Sequence, residues 1–182
     1  MNTTSDEYIM DQVKSGDHRQ FSILFERYSK SIFNYFMQWT KDIAKAEDLT
    51  QDVFIKIFKN RHKFKGVNFK IWLFTISRNL RTDFYRAKVG KKIDERPIDE
   101  VLNYMPIDQN GEGIDESLDK EKLKRAIETL KDDKKEVLFM QFFQGMKSNE
   151  IAEMLNISPE NARARSHRAI KALRRQFSDL KK

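Results

Sequence analysis

The chain has 182 residues, 39% hydrophobic and 12% aromatic, enough apolar material for real cores and too much for disorder throughout. It has no Cys, which removes disulfides, thiolate metal sites and thiol nucleophiles together, and its short, charge-broken apolar runs exclude a transmembrane helix. The net charge of +7 is unevenly spread: residues 1–90 and 119–182 each hold 16 Lys and Arg against 10 Asp and Glu, while residues 91–118 hold 3 against 8.

Two basic blocks around an acidic stretch suit two nucleic-acid-binding domains joined by a solvated linker, although chance clustering in a basic protein gives the same picture. Only 6 Gly and 3 Pro favour helices over sheets or long loops, so an all-α fold is expected. The start, M-N-T-T-S-D-E, is polar and acidic and does not read as a signal peptide. With the lack of Cys it fits a cytoplasmic protein.

The first predicted helix covers about residues 5–15 and stops at Gly16. Asp17 is expected to cap the next helix, with Gln20 as its capping-box partner. That helix carries Phe21, Leu24, Phe25, Tyr28, Ile32, Tyr35, Phe36 and Trp39 on one face, a stripe read as core. A third helix runs from about Ile43 to Asn60, with Leu49, Val53 and Ile57 inward and Phe54 and Phe58 beside them.

A basic loop, R-H-K-F-K-G-V, leads into the most distinctive element, a helix from Asn68 to Lys88. Its expected apolar stripe is Phe69, Trp72, Leu73, Ile76, Leu80 and Phe84. The remainder carries Arg78, Asn79, Arg81, Tyr85, Arg86 and Lys88, with Asp83 the single acid. Cations hold phosphates, an amide reads base edges and aromatic rings stack on bases, so this face points to nucleic acid, some of it unpaired. Trp72 lies on the apolar stripe and reads as core before base stacking, as does Phe84; Tyr85 is the better exposed aromatic. The bundle is expected to end near Gly90, and residues 91–118, with Pro97, Pro106, Gly111 and Gly113 among acids, have linker composition.

The second block restarts with Leu123, Ile127 and Leu130 on one face, then a helix capped by Asp132 or Asp133 and ended by Gly145. Ser148–Arg174 reads as a helix-turn-helix, in which Ile151, Ala152 and Leu155 face inward and Ile157 plugs the turn. Ser158 is the expected N-cap of the second helix, with Pro159 at its first position. Small Ala152 and Ala162 let the helices cross closely, and Ala169, Ile170 and Leu173 pack back. The outward arc holds Glu160, Arg163, Ala164, His167, Arg168 and Lys171, with Arg165 at the core boundary. Such an arc suits a major groove, whereas the bland alternative is a solvated basic helix in an ordinary hairpin.

The run A-E-D-L-T-Q-D-V-F-I-K-I-F (46–58), followed by F-K-I-W-L-F-T-I-S-R-N-L-R-T-D-F-Y-R (69–86), resembles bacterial sigma factors of the sigma-70 superfamily, in particular the extracytoplasmic-function (ECF) class. The upstream V-K-S-G-D-H-R-Q-F-S-I-L-F-E-R-Y fits the same pattern, and the segment from L-K-D-D-K-K-E to A-R-S-H-R-A resembles the family's other domain. Only the linker and tails fall outside the likeness. It implies a sigma-2 helical bundle over residues 1–90, an acidic linker over 91–118 and a sigma-4 helix-turn-helix domain over 119–182.

By family position, Asp48, Gln51 and Asp52 would dock on the β′ clamp coiled coil of core RNA polymerase, although their residue types alone say only that the helix is solvated. The loop Lys63–Asn68 would form the pocket for a flipped base of the −10 non-template strand. Lys63 and Lys65 supply its charge, and Phe64 and Phe69 are candidate walls. Asn79 would contact a base, Arg78, Arg81 and Arg86 would hold phosphates, and Tyr85 would offer a ring. Sigma-4 would read the −35 duplex through Glu160, Arg163, Ala164, Arg165, His167, Arg168 and Lys171. Three residues depart from the family pattern. Ala164 stands where Ser is frequent, His167 where an apolar residue is common, and Lys147 where Ser or Thr often caps, so Ser148 is expected to cap one residue late. Core polymerase (β′ and β subunits), promoter DNA and an anti-sigma protein are the implied partners, with no membrane insertion.

Two other classes stay open on the residues. A stand-alone helix-turn-helix regulator would bind an operator without polymerase, but the first block shows no ligand-pocket logic and no heptad seam. A DNA-processing enzyme would need a catalytic set. His18, His62 and His167 lie on separate elements without metal spacing, and Asp6, Asp11 and Asp17 sit on a polar helix and its cap. No catalytic residue, metal or cofactor is therefore expected.

Overall fold

The computed structural model describes residues 4–89 and 116–179, and every regular element among them is helical. The chain divides into two compact units, Met1–Met105 and Pro106–Lys182. The expected linker over 91–118 lies outside the described residues up to position 115.

The first unit contains α1 (Asp6–Lys14), α2 (Phe21–Thr40), α3 (Ile43–Lys59) and α4 (Phe69–Val89), with 3-10 turns at His18–Gln20 and Arg61–Lys63. Ser5 caps α1 by accepting from the Tyr8 amide at 3.2 Å, and Asp42 caps α3 by accepting from the Lys45 amide at 3.1 Å. Asp17 differs from expectation. It heads the 3-10 turn and makes no capping bond, while the Gln20 side chain donates to its carboxylate at 3.3 Å. Helix α2 ends where Lys41 adopts φ 50° and returns its amide to the Met37 carbonyl at 3.2 Å, a left-handed stop made without glycine.

The core joins Ile9, Met10 and Val13 of α1 to Leu24, Ile32, Tyr35, Phe36 and Met37 of α2 and to Val53, Phe54 and Ile57 of α3. Each fully buried side chain of this size stabilises the fold by about 1.5–3 kcal/mol. Two expectations about core faces change. Phe25, placed on the α2 stripe, is 42% exposed: it lies at the edge of the α2–α3 contact, against Phe54, while Leu24 beside it takes the core position. The buried face of α4 is Phe69, Ile71, Leu73, Phe74 and Ser77, while Trp72, Ile76, Leu80 and Phe84 are only half-buried. Ser77 is tolerated inside because its hydroxyl donates to the Leu73 carbonyl at 2.9 Å.

The second unit contains α5 (Glu116–Glu128), α6 (Asp132–Leu138), a π-helical turn (Phe139–Phe143), α7 (Ser148–Leu155) and α8 (Pro159–Asp179). Leu130, Leu138 and Ala169 form a small core against Ile170 and Leu173. Lys131, not Asp132 or Asp133, occupies the N-cap of α6, and both acids fall within the first turn, where they favour the helix dipole instead. The N-cap of α7 is likewise Lys147 rather than Ser148; its amide donates to the Glu150 carboxylate at 2.7 Å.

Candidate nucleic-acid interfaces

The loop between α3 and α4 is built over an aromatic floor. Phe64 and Phe69 are 3% and 0% exposed. Their rings lie 6.0 Å apart, and Trp72 sits 5.2 Å from Phe64 and 6.1 Å from Phe69. Tyr28 closes the far side, 5.7 Å from Phe69. Phe64 and Phe69, expected as pocket walls, lie buried beneath the loop as its floor. Half-buried Trp72 leans on both and keeps some surface. The exposed loop residues are His62, Lys63, Lys65, Gly66 and Val67. Asn68 shapes the backbone instead. At φ 33° its side-chain oxygen accepts from the Ile71 amide at 3.1 Å and so caps α4.

The outer face of α4 divides in two. Asn79 and Arg86 are exposed and Arg78 is half-buried, with Arg86 only 3.9 Å from Asp83. Arg81 and Tyr85 are instead fastened to the end of α2. The Arg81 guanidinium lies 4.2 Å over the Trp39 ring and 5.5 Å over Tyr35. The Tyr85 hydroxyl donates to the Trp39 carbonyl at 2.7 Å. Arg81, expected at a phosphate, and Tyr85, expected as an open ring, thus both make internal contacts, and a desolvated cation over Trp gains more than one in water.

On α3, Asp48, Gln51 and Asp52 are all exposed. Gln51 also lines a groove of about 350 Å³ with Phe21, Phe25, Phe54, Ile55 and Phe58. Ile55 is 48% exposed, and sequence reasoning missed it as surface because α3 carries more apolar residues than one face can bury.

In the second unit, α7 ends at Asn156 in the left-handed conformation, φ 53°. The Ile157 amide donates back to the Ala152 carbonyl at 3.0 Å. Ser158 accepts from the Asn161 amide at 3.2 Å and starts α8. Ala152 and Ala162 are buried at the crossing. Glu160, Arg163, Ala164, His167, Arg168 and Lys171 are exposed, and Arg165 is half-buried. Arg163 pairs with Glu160 at 3.1 Å, and Arg168 Nε donates to the Ala164 carbonyl at 3.1 Å. The Glu160 carboxyl is held below its usual range, first by its own backbone amide, then by the Ser158 hydroxyl, then by Arg163. Arg165 and Arg168 line a polar cavity of about 320 Å³ with Asp133 and Lys134.

No group of three or more His, Asp or Glu among the described residues could hold a metal ion, and no described helix is long and apolar enough to cross a membrane. Residues 24–90 match the Sigma-70 region 2 family, and residues 120–173 match Sigma-70, region 4. The chain is 30% identical over 156 residues to RNA polymerase sigma factor YlaC of Bacillus subtilis, covering 85% of this chain and 90% of that one. It is 27% identical to the ECF RNA polymerase sigma factor SigW of the same organism, covering 93% and 95%. The fold is similar to CnrH in its complex with the cytosolic domain of CnrY, with a TM-score of 0.71, 21% identity and coverage of 96% and 97%. It is also similar to RpoE of Bartonella quintana in complex with the anti-sigma factor NepR, with a TM-score of 0.65, 24% identity and coverage of 89% and 97%.

Proposed function

Since this chain belongs to the sigma-70 superfamily of RNA polymerase sigma factors, we propose that it is one of the ECF class, binds core RNA polymerase and directs promoter recognition, DNA melting and transcription initiation. It is a dissociable specificity subunit and not an enzyme, and it works in the cytoplasm beside the polymerase. Residues 1–90 act as sigma-2, 91–118 as a linker and 119–182 as sigma-4.

The observation that carries this reading is the pairing, in one chain, of a basic loop-and-helix surface with a helix-turn-helix whose outer arc is free of core duties. Asp48, Gln51 and Asp52 dock on the β′ clamp, and the adjacent apolar groove with Phe25 and Ile55 widens that contact. Lys63, Lys65, Arg78, Asn79 and Arg86 hold the −10 non-template strand; Phe64, Phe69 and Asn68 shape the loop beneath it. A flipped base costs about a few kcal/mol to extrude, so a fixed loop that receives it disfavours re-pairing. Arg163, Arg168 and Lys171, with Glu160, Ala164, Arg165 and His167 around them, face the −35 major groove. The β subunit is a second polymerase contact, and an anti-sigma protein covering these faces is a further partner that the family implies.

Run-off transcription tests the reading. Core polymerase with this chain should enrich promoter duplexes from a random pool and give discrete transcripts from them. No product from any enriched duplex, or tight duplex binding by the chain without core enzyme, would sink it in favour of a stand-alone regulator.

A further inference from the structure

The loop over residues 63–68 is anchored by a helix far from it in sequence. The Phe69 amide, one of the first amides of α4 without an intrahelical partner, donates to Glu7 Oε1 at 2.9 Å, a bond across 62 positions. A carboxylate there also favours the positive end of the helix dipole. At the other end, the Lys14 ammonium donates to the Phe64 carbonyl at 2.9 Å. Both residues belong to α1, one near each end.

Between those two anchors lie Lys65, Gly66 and Val67, all exposed. Gly66 has φ 76° and Asn68 has φ 33°, so the loop holds two left-handed residues in close succession. A free chain would leave such a conformation readily. Helix α1 is itself secured elsewhere, by buried Ile9, Met10 and Val13, by Asp6 with Arg27 at 2.6 Å, and by the Tyr28 hydroxyl on Asp6. Helix α1 thus has anchors of its own besides Glu7 and Lys14.

We propose that Glu7 and Lys14 are positioning residues for −10 strand capture: α1 sets the loop by gripping the Phe69 amide and the Phe64 carbonyl. This rests on the reading of the 63–68 loop as the −10 site. In this role each acts through the loop backbone and not through a contact of its own with DNA. Their effect appears only where the loop must already be shaped when a base arrives.

The test uses the full chain with core polymerase on a duplex promoter that the wild-type complex selects from a random pool. Permanganate reactivity of −10 thymines reads opening, and a labelled-chain titration reads affinity for core enzyme. Glu7→Ala and Lys14→Met should each reduce opening about fivefold, the size of a lost helix cap, with core affinity changed by no more than about twofold. Glu7→Gln, whose amide oxygen still accepts from the Phe69 amide, should restore opening. Hydrogen exchange at the Phe69 amide should speed up in Glu7→Ala and not in Glu7→Gln.

Lys63→Ala with Lys65→Ala is run alongside. If that pair leaves opening intact, the loop is not the −10 site and this proposal falls with that reading. If the pair abolishes opening while Glu7→Ala and Lys14→Met do not reduce it, only the positioning role is overturned. Equal losses of opening and core affinity in both α1 variants, without rescue by Glu7→Gln, would overturn it too, as a general effect on folding.

Discussion

The outer face of α4 and the outer face of α8 have similar compositions and opposite constructions. On α4, Arg81 is stacked on Trp39 and Tyr85 is bonded to the Trp39 carbonyl. On α8, Arg163 and Arg168 reach only residues three or four positions away on their own helix. Fastened to Trp39 through Arg81 and Tyr85, α4 carries its exposed Asn79 and Arg86 on a held helix, whereas Arg163 and Arg168 on α8 lean on their own helix. That contrast matches the roles proposed for the two faces. An unpaired strand has no shape of its own, so the protein must supply one. A duplex groove is already a shape, and side chains need only reach into it.

The largest effect that could break this contrast is at the floor of the first site. Phe69→Ala should destabilise the first unit by about 3–5 kcal/mol, as for other fully buried Phe side chains. Urea unfolding followed by circular dichroism measures it; a change confined to DNA binding would mean that Phe69 is a surface wall after all. Arg81→Ala comes next, at about 1–2 kcal/mol of lost stability. Were Arg81 only a phosphate contact, the unfolding midpoint would stay fixed and only the salt dependence of DNA binding would soften.

Tyr28→Phe should cost about 1 kcal/mol by removing the hydroxyl's bond to Asp6. The phenol is held protonated, first by burial and then by Asp6, so its folded pKa lies above the ordinary value. The native state thus binds this proton more tightly than the unfolded chain. The associated stability is complete below about pH 10 and declines as pH rises beyond it. The gap between wild type and Tyr28→Phe should therefore narrow above that pH, and a gap constant from neutral to alkaline pH would contradict the coupling.

Arg163→Ala should change stability least, within about 0.5 kcal/mol, because its pair with Glu160 is exposed. It should still relax discrimination at one −35 position by about 1–3 kcal/mol. Equal loss of transcription from all promoters, whatever their −35 sequence, would remove Arg163 from direct readout.

These differences also mark what local sequence could disclose. The bounds of α3 and the start of α8 were legible, because Asp42 and Ser158–Pro159 act within their own turns. The register of α4 was not. Its apolar residues are too many for one stripe, and whether Ile71 and Phe74 or Ile76 and Leu80 face inward is decided by the helices packed on it, α1, α2 and α3. At the candidate sites, residue types pointed to the basic α4 face and the α8 arc, and the family resemblance added Lys63–Asn68. They could not separate Arg81 from Arg86, since one meets a tryptophan that lies 42 positions earlier and the other does not. The grip of Glu7 on α4 has no local signature at all.

The fastening of α4 to Trp39 has an optical consequence. The chain's two tryptophans, Trp39 and Trp72, both belong to the first unit. Trp72 stands in the opening turn of α4, while Trp39 holds its later half through Arg81 and Tyr85. Indole emission therefore reports the first unit alone and leaves the second dark. A red shift during unfolding marks loss of the first unit, and helical signal that melts apart from it belongs to the second.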